Sequence, residues 1–163
     1  MEIQTIIQDH FSEVVEIYRQ GLATGMATFQ NEVPSWEEWD RTHLAFCRMA
    51  ASENNKILGW VALTPVSART VYAGVAEVSI YLAEGERGKG IGTLLLNALI
   101  GQSEANGIWT LQSGIFSENK GSIRLHEKCG FRQVGYRERI AKKNGIWKDT
   151  VLMERRSKIT ETD

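Results

Sequence analysis

The sequence predicts one domain of mixed α/β class, and three observations carry the expectation. Alternating apolar residues at the N-terminus give way to apolar residues at helical spacing. The stretch VAEVSIYL, strand-like in its alternation, runs through a glycine-rich loop into a long apolar run. The last part of the chain holds two stretches joined by Asn144-Gly145, a pair favoured in type I′ hairpin turns. With 163 residues, 42% of them hydrophobic and 24% charged, the chain can bury a core sufficient for a single domain. That domain is expected over 1–156, with a flexible tail over 157–163.

Met1, Ile3, Thr5 and Ile7 alternate as a first strand. Phe11, Val14, Val15, Tyr18 and Leu22 then recur as a helix, with Asp9 placed to cap it. GLATGMATFQNEVP breaks both periodicities. Ser35 with Glu38 forms a capping box for a second helix carrying Trp39, Leu44 and Phe46. RMAAS and ILGWVALT read as a hairpin about residues 53–56, with Gly59 marking a bulge. VAEVSIYL is the next strand, the glycine loop leads into a helix to about Asn106, and Gly107 stops it. IWTLQSGIF is a strand, SIRLHEKCGF a short helix ended by Gly130, and FRQVGYRERIAKKNGIWKDTVLME the closing hairpin. The polar end RRSKITETD lacks a pattern and is expected to fray. Trp36, Trp39, Trp60, Trp109 and Trp147 all lie on patterned elements and are expected in the core.

Nineteen basic and twenty acidic side chains leave a net charge of −1, so no global field draws in nucleic acid or an anionic membrane. Cys47 and Cys129 are too few for a disulfide framework and lack metal-ligand spacing, which predicts reduced, buried thiols. His10 and His43 also lack neighbours at metal-ligand spacing, and no metal is expected. The N-terminus has no secretory pattern and no apolar run approaches membrane-spanning length, so a cytoplasmic location is expected.

The functional signal lies in EGERGKGIGTLLLNALI. A strand entering a glycine-rich turn and then a helix gathers unpaired N–H groups and the positive end of the helix dipole at one spot, which suits an anion. Arg87 and Lys89 add charge, and a pyrophosphate within a longer ligand is the natural occupant. A dinucleotide fingerprint starting at Gly88 and Gly90 fails because Thr93 stands where the third glycine belongs. A P-loop starting at Gly85 and Gly90 fails because Ile91 and Gly92 replace its Lys and Ser or Thr. What remains, Arg87-x-x-Gly90-x-Gly92, resembles the acyl-coenzyme A loop of the GNAT superfamily of N-acetyltransferases. Taken alone, the loop also reads as a tight strand-to-helix turn with solvated cations. TGMATFQNEVPSWEEW, AEVSIYL, NKGSIRLHEKCGF and NGIWKDTVLM, in that order and spacing, are similar to the phosphinothricin and methionine sulfoximine acetyltransferase branch, so the resemblance spans Ile3 to Glu154. It implies the GNAT fold, an α+β arrangement whose mixed, mostly antiparallel central sheet is flanked by helices. It further implies acetyl-CoA as co-substrate, and a homodimer for which apolar residues of the last hairpin are candidate contacts.

Acetyl transfer from a thioester to an amine needs a deprotonated amine, a polarised carbonyl and a proton for the departing thiolate. Alternation puts Glu77 on one face of VAEVSIYL with Ser79 and Tyr81, and the resemblance makes Glu77 the general base; an edge-strand charge paired with an Arg is the other reading. The resemblance also leaves backbone groups of Ile80, Tyr81 and Leu82 free for the pantetheine arm, exposed by a bulge in the strand. The loop residues Arg87, Gly88, Lys89, Gly90, Ile91, Gly92 and Thr93 take the pyrophosphate. Asn119, Ser122 and His126 fall on one side of a helix, with Asn119 at its N-cap position. Asn119, Ser122 and Lys128 are assigned to the coenzyme. His126 stands where many superfamily members carry a Tyr acid; it reads either as the thiolate's proton donor or as a packing residue. The resemblance places acceptor contacts at Ser67, Ala68, Arg69, Val78 and Ser79, with Thr28 and Phe29 closing the pocket. Arg69 reads as a carboxylate or phosphinate clamp or as a solvated loop cation.

The leading expectation is transfer of an acetyl group from acetyl-CoA to the α-amine of a small amino-acid-like acceptor by direct attack. Two alternatives stand beside it. One is acetylation of a different amine, such as a polyamine, aminoglycoside or protein N-terminus, for which a cationic acceptor predicts an acidic pocket rim in place of Arg69. The other is a coenzyme A sensor without transfer.

Overall fold

The computed structural model describes residues 1–163. The N-terminal alternation forms β1 (Glu2–Thr5), followed by a single 3-10 turn over Gln8–His10 and by α1 (Phe11–Ala23). Asp9 does not cap α1. The turn places His10 at the N-cap position, where its Nδ1 accepts from the Ile7 N–H at 3.3 Å. The buried face of α1 is Val14, Ile17 and Gly21, so Ile17 and a glycine take the places expected of Val15 and Leu22. Gly21 is there because α1 lies against Tyr81: a Cβ would come 2.7 Å from its ring. Ser35 caps α2 (Trp36–Thr42) by accepting from the Glu38 N–H. That helix ends earlier than expected, and Leu44 and Phe46 lie in an irregular segment packed on the core. Arg48, 6% exposed, ties the segment down by donating to the carbonyls of Leu44 and His43 and pairing with Asp40.

β2 (Met49–Glu53) and β3 (Lys56–Pro65) form the expected hairpin, turned by Asn54 and Asn55 at φ 51° and 61°. The ladder slips where Ala51 pairs with Gly59 and Ser52 with Ile57, so the bulge sits beside Gly59. β4 (Val75–Leu82), α3 (Ile91–Ala105), β5 (Thr110–Phe116), α4 (Lys120–Lys128), β6 (Arg132–Lys143) and β7 (Ile146–Arg156) follow in the predicted order. The strands make one seven-stranded sheet in the order β1-β2-β3-β4-β5-β7-β6. Every neighbouring pair is antiparallel except β4 with β5.

Helices cover both faces. Ile91, Leu95, Leu96 and Leu99 of α3 meet Val61, Leu63, Ala76 and Val78 in the larger core. Val14, Ile17 and Trp39 from α1 and α2 meet Trp60 and Ala62 on the opposite face. β3, covered on both sides, therefore reads as a nearly continuous apolar run rather than an alternation. Both cysteines are free and buried, and burial pushes the Cys47 thiol up to about 12. No helix is long and apolar enough to cross a membrane.

Two expectations for the C-terminal third need correction. Trp147 is 46% exposed rather than in the core, because it sits on the terminal hairpin with Arg139 and Lys142 over its ring. The end RRSKITETD is also less frayed than its composition suggests. Arg155 and Arg156 complete β7, the Ser157 hydroxyl donates to Glu104, and Thr160 donates to the Glu104 carbonyl.

Candidate active site

The glycine loop joins β4 to α3 across the end of the sheet. Gly85, Gly88 and Gly90 have φ of 82°, 76° and 83°, a region costly for L-residues, and a Cβ at any of them would meet nothing within 4 Å. The loop surface is thus open to a ligand. Gly90 is the N-cap of α3 without a side-chain cap, and its carbonyl accepts the first helical bond, from the Leu94 N–H. The N–H groups of Ile91, Gly92 and Thr93 have no intrahelical acceptor. Gly92 is small for a second reason: its Cβ would come 3.0 Å from Leu125 of α4. Of the two loop cations, Lys89 pairs with Glu86 at 3.0 Å, whereas Arg87 is exposed and has no carboxylate partner. This cradle, with positive potential and no side chains in the way, fits a diphosphate.

β4 carries no bulge on its β3 side; its register runs unbroken from Ala76 to Leu82. Backbone groups are freed in a different way. β4 and β5 pair only at Val75–Thr110, Ala76–Leu111 and Glu77–Gln112, after which the strands diverge into a fork. The Ala83 N–H donates to Leu58 and the Val75 carbonyl accepts from Val66, so the odd residues of β4 turn their backbone groups to β3. The even residues Val78, Ile80 and Leu82 turn theirs into the fork. Tyr81, expected among the free groups, belongs to the β3 ladder and contributes its ring instead. An arm bearing amide groups fits this edge.

Glu77 stands at the apex of the fork, half-buried. It is on a central strand and has no Arg partner, which removes the edge-charge reading. Its Oε1 lies 3.8 Å from the position of a Cβ on Gly114 across the fork. Thr64 pairs with it on β3, and Ser79 follows on the same face.

Thr64 and Ser79 also line a chamber of about 470 Å³ between the sheet, α2 and the loop carrying Thr28. Aromatic rings of Tyr18, Trp39, Trp60 and Tyr81 form much of its wall. The Tyr18, Tyr81 and Thr28 hydroxyls interact there, and burial raises the pKa of both phenols. Trp39 and Trp60 are therefore core residues with a second surface on the chamber. Three long-range contacts pin the loop above it: Asn119 Nδ2 donates to the Met26 carbonyl, Phe29 packs edge-on against Phe116, and Lys143 donates to the Gln30 carbonyl and Asn31. Lys143, only 5% exposed, is a residue the sequence did not single out. Glu32, Glu38 and His43 line the chamber as well, and none of them was a site candidate in the sequence. Ser67, Ala68 and Arg69 do not line it. They lie on the loop joining the Glu77 end of β4 to β3, with Arg69 exposed over the Tyr72 ring at 5.5 Å. A larger cavity of about 680 Å³ lies against β1 and the β2–β3 turn, away from both Glu77 and the glycine loop.

On α4, Asn119 is the expected N-cap, accepting from the Ser122 N–H at 3.3 Å. Lys128 is exposed near the other end of the helix. His126 is at odds with the proton-donor expectation. It is 1% exposed, edge-on to Phe131, and its Nδ1 lies 2.7 Å from the Ser122 carbonyl. A carbonyl only accepts, so Nδ1 carries the hydrogen and Nε2 is a buried lone pair without a partner. Burial lowers the pKa and keeps the ring neutral. This nitrogen has no proton to give.

Residues 10–131 match the acetyltransferase (GNAT) family model. A phosphinothricin N-acetyltransferase of Alcaligenes faecalis is 32% identical over 160 residues, spanning 94% of this chain and 81% of that relative. An L-methionine sulfoximine/L-methionine sulfone acetyltransferase of Pseudomonas aeruginosa is 32% identical over 106 residues, 65% of this chain and 62% of the relative. The crystal structure of a GNAT superfamily phosphinothricin acetyltransferase from Sinorhizobium meliloti in complex with AcCoA superposes with a TM-score of 0.86 at 29% identity, covering 99% of this chain and 94% of that one.

Proposed function

The chain belongs to the acetyltransferase (GNAT) family and is an acetyl-CoA-dependent N-acetyltransferase; from that premise we propose that its acceptor is the α-amine of a small amino-acid-like compound. Phosphinothricin, methionine sulfoximine and methionine sulfone are the reference type. The observation that carries the reading is the carboxylate of Glu77, free of ion pairs, at the apex of the β4/β5 fork between the open backbone edge and the chamber.

Acetyl-CoA, when bound, supplies the thioester. The N–H groups of Ile91, Gly92 and Thr93, with Gly88 and Gly90 keeping the approach clear, hold its diphosphate, and Arg87 adds charge. Lys89 contributes less because Glu86 offsets it. The free edge at Val78, Ile80 and Leu82 aligns the pantetheine arm, and the Val78 N–H, next to the apex, polarises the thioester carbonyl. Glu77 takes the proton of the acceptor's ammonium, directly or through one water. Arg69 receives the acceptor's carboxylate, while Thr28, Phe29 and Ser79 enclose it and Ser67 and Ala68 shape the approach. Asn119, Ser122 and Lys128 flank the coenzyme from α4. His126 holds that helix by packing, and the thiolate leaves without its help. The family branch also supports a homodimer, whose contact would use exposed apolar residues of the last hairpin such as Tyr136 and Ile146.

The test is thiol release from acetyl-CoA with methionine sulfoximine, methionine sulfone, phosphinothricin, simple amino acids and polyamines as acceptors, for the wild type and Glu77→Gln. General-base loss should lower kcat by roughly 10²- to 10⁴-fold. Coenzyme affinity should stay unchanged, since the cradle is separate from the base. Unaltered turnover across the pH range removes Glu77 from its role.

A further inference from the structure

The chamber beside Glu77 ends in uncharged hydrogen-bond donors. Glu77, Ser79 and Tyr81 share one face of β4, and opposite them on β3 stand Thr64, Ala62 and Trp60. This row runs from the base to a block of aromatic rings. There Trp60 stacks on Tyr81 at 5.0 Å, and Tyr18 meets Tyr81 edge-on at 4.9 Å. The packing fixes where the two phenol hydroxyls stand. They meet the hydroxyl of Thr28, whose oxygen accepts from the Gln30 N–H at 3.1 Å and which retains a hydrogen to donate. Burial raises the pKa of Tyr18 and Tyr81, so both keep their hydrogens at neutral pH. Trp39 and Trp60, each 2% exposed, belong to the same wall and have Nε1–H groups without a partner in the chain. A buried N–H is satisfied only by an acceptor. No lysine or arginine lines the chamber, and its carboxylates, Glu32 and Glu38, are exposed to water.

An amino acid whose amine meets Glu77 would extend its side chain along Thr64 and Ser79 toward this block. What it finds there are O–H and N–H groups without charge. An ammonium carries only hydrogens and would leave those donors unmet. A thioether sulfur is a weak acceptor. An oxygen bound to sulfur or phosphorus brings lone pairs to the donors and carries the negative end of a strong dipole. Arg69, on the loop outside the chamber, remains available for the α-carboxylate. We propose that Tyr18 and Tyr81, backed by the indole N–H groups of Trp39 and Trp60, form an oxygen-binding end of the acceptor site. They select amino acids whose side chain bears an oxo group on sulfur or phosphorus over the same skeleton without it. This deepens the acceptor reading above and rests on Glu77 receiving the amine's proton.

Initial rates with acetyl-CoA on L-methionine, L-methionine sulfone, L-methionine sulfoximine and phosphinothricin test it, for the wild type, Tyr18→Phe and Tyr81→Phe. Each variant removes one hydroxyl and keeps the ring, and thermal melting checks that both fold. Wild-type kcat/KM should be at least about 10-fold higher for methionine sulfone than for methionine, which differs only in lacking the oxygens. Each Phe variant should lower that ratio about 3- to 10-fold, as one lost hydrogen bond implies, and the loss should fall on the KM of the sulfone. A wild type that uses methionine as well as the sulfone overturns the assignment while leaving the transferase reading intact, and this comparison needs no variant. A ratio untouched by both Phe variants overturns it too. Transfer to none of the four by a protein that still binds acetyl-CoA overturns the acceptor reading as well.

Discussion

Gly90 and Gly107 form a matched pair at the two ends of α3, and the comparison isolates what the loop does for a ligand. Their φ angles are 83° and 80°, and a Cβ at either meets no atom within 4 Å. Alanine at each position should therefore cost the same backbone strain, about 1–2 kcal/mol for an L-residue held left-handed. In a domain of this size that lowers Tm by roughly 2–4 °C per kcal/mol. Only at Gly90 does the new methyl project into the cradle over the free N–H groups of Ile91, Gly92 and Thr93. If it displaces a diphosphate from one charge-assisted hydrogen bond, worth about 1.5–3 kcal/mol, affinity falls about 10- to 100-fold. Isothermal titration of CoA and acetyl-CoA, run beside thermal melts, reads both quantities. Equal Tm losses with weakened binding in Gly90→Ala alone are expected. Equal affinities for the two variants would refute the loop as the diphosphate site.

Lys143→Met keeps the aliphatic stem and removes the ammonium, leaving the Gln30 carbonyl and Asn31 side chain unmet; a stability loss of about 1–3 kcal/mol is expected. Acceptor KM should rise while coenzyme affinity holds, with partial rescue by Lys143→Arg, and an unchanged KM would detach the hairpin from the chamber loop. Stability should also fall with acid. His43 and His126 both have pKa lowered by burial from 6.5, so below that value the unfolded chain binds protons that the folded one refuses. Their contribution is present above pH 6.5 and is lost as pH falls, by up to about 1.4 kcal/mol per pH unit for each ring. Urea midpoints between pH 7.5 and 5.5 measure the slope. His126→Gln should remove part of it, and a flat profile would refute the burial argument.

What the sequence disclosed about this protein was local. Positive-φ glycines, the Ser35 and Asn119 caps and the Asn144-Gly145 turn are decided within a few residues, and all were readable. The fork was not, because it depends on β5 leaving β4 after the Glu77–Gln112 pair, and strands 35 residues apart carry no such signal in their own alternation. Chain alternation also cannot say which face of a strand is covered, and this is how Trp147 came to be expected in the core. For His126 the family resemblance left proton donor and packing residue both open, and the Ser122 carbonyl, which fixes which nitrogen holds the hydrogen, favours packing. The chamber was the least legible part, since Glu38, His43, Thr64 and Ser79 converge from three separate elements and a loop.

The brevity of the β4–β5 pairing has a mechanical consequence. Seven strands are laid out as two platforms, one of four and one of three, welded along only three residue pairs and braced by α3 beneath. A molecule lying in the cleft and bonding to Val78, Ile80 and Leu82 would act as a splint between the platforms. Amide exchange at those positions should then report how stiffly the halves are joined.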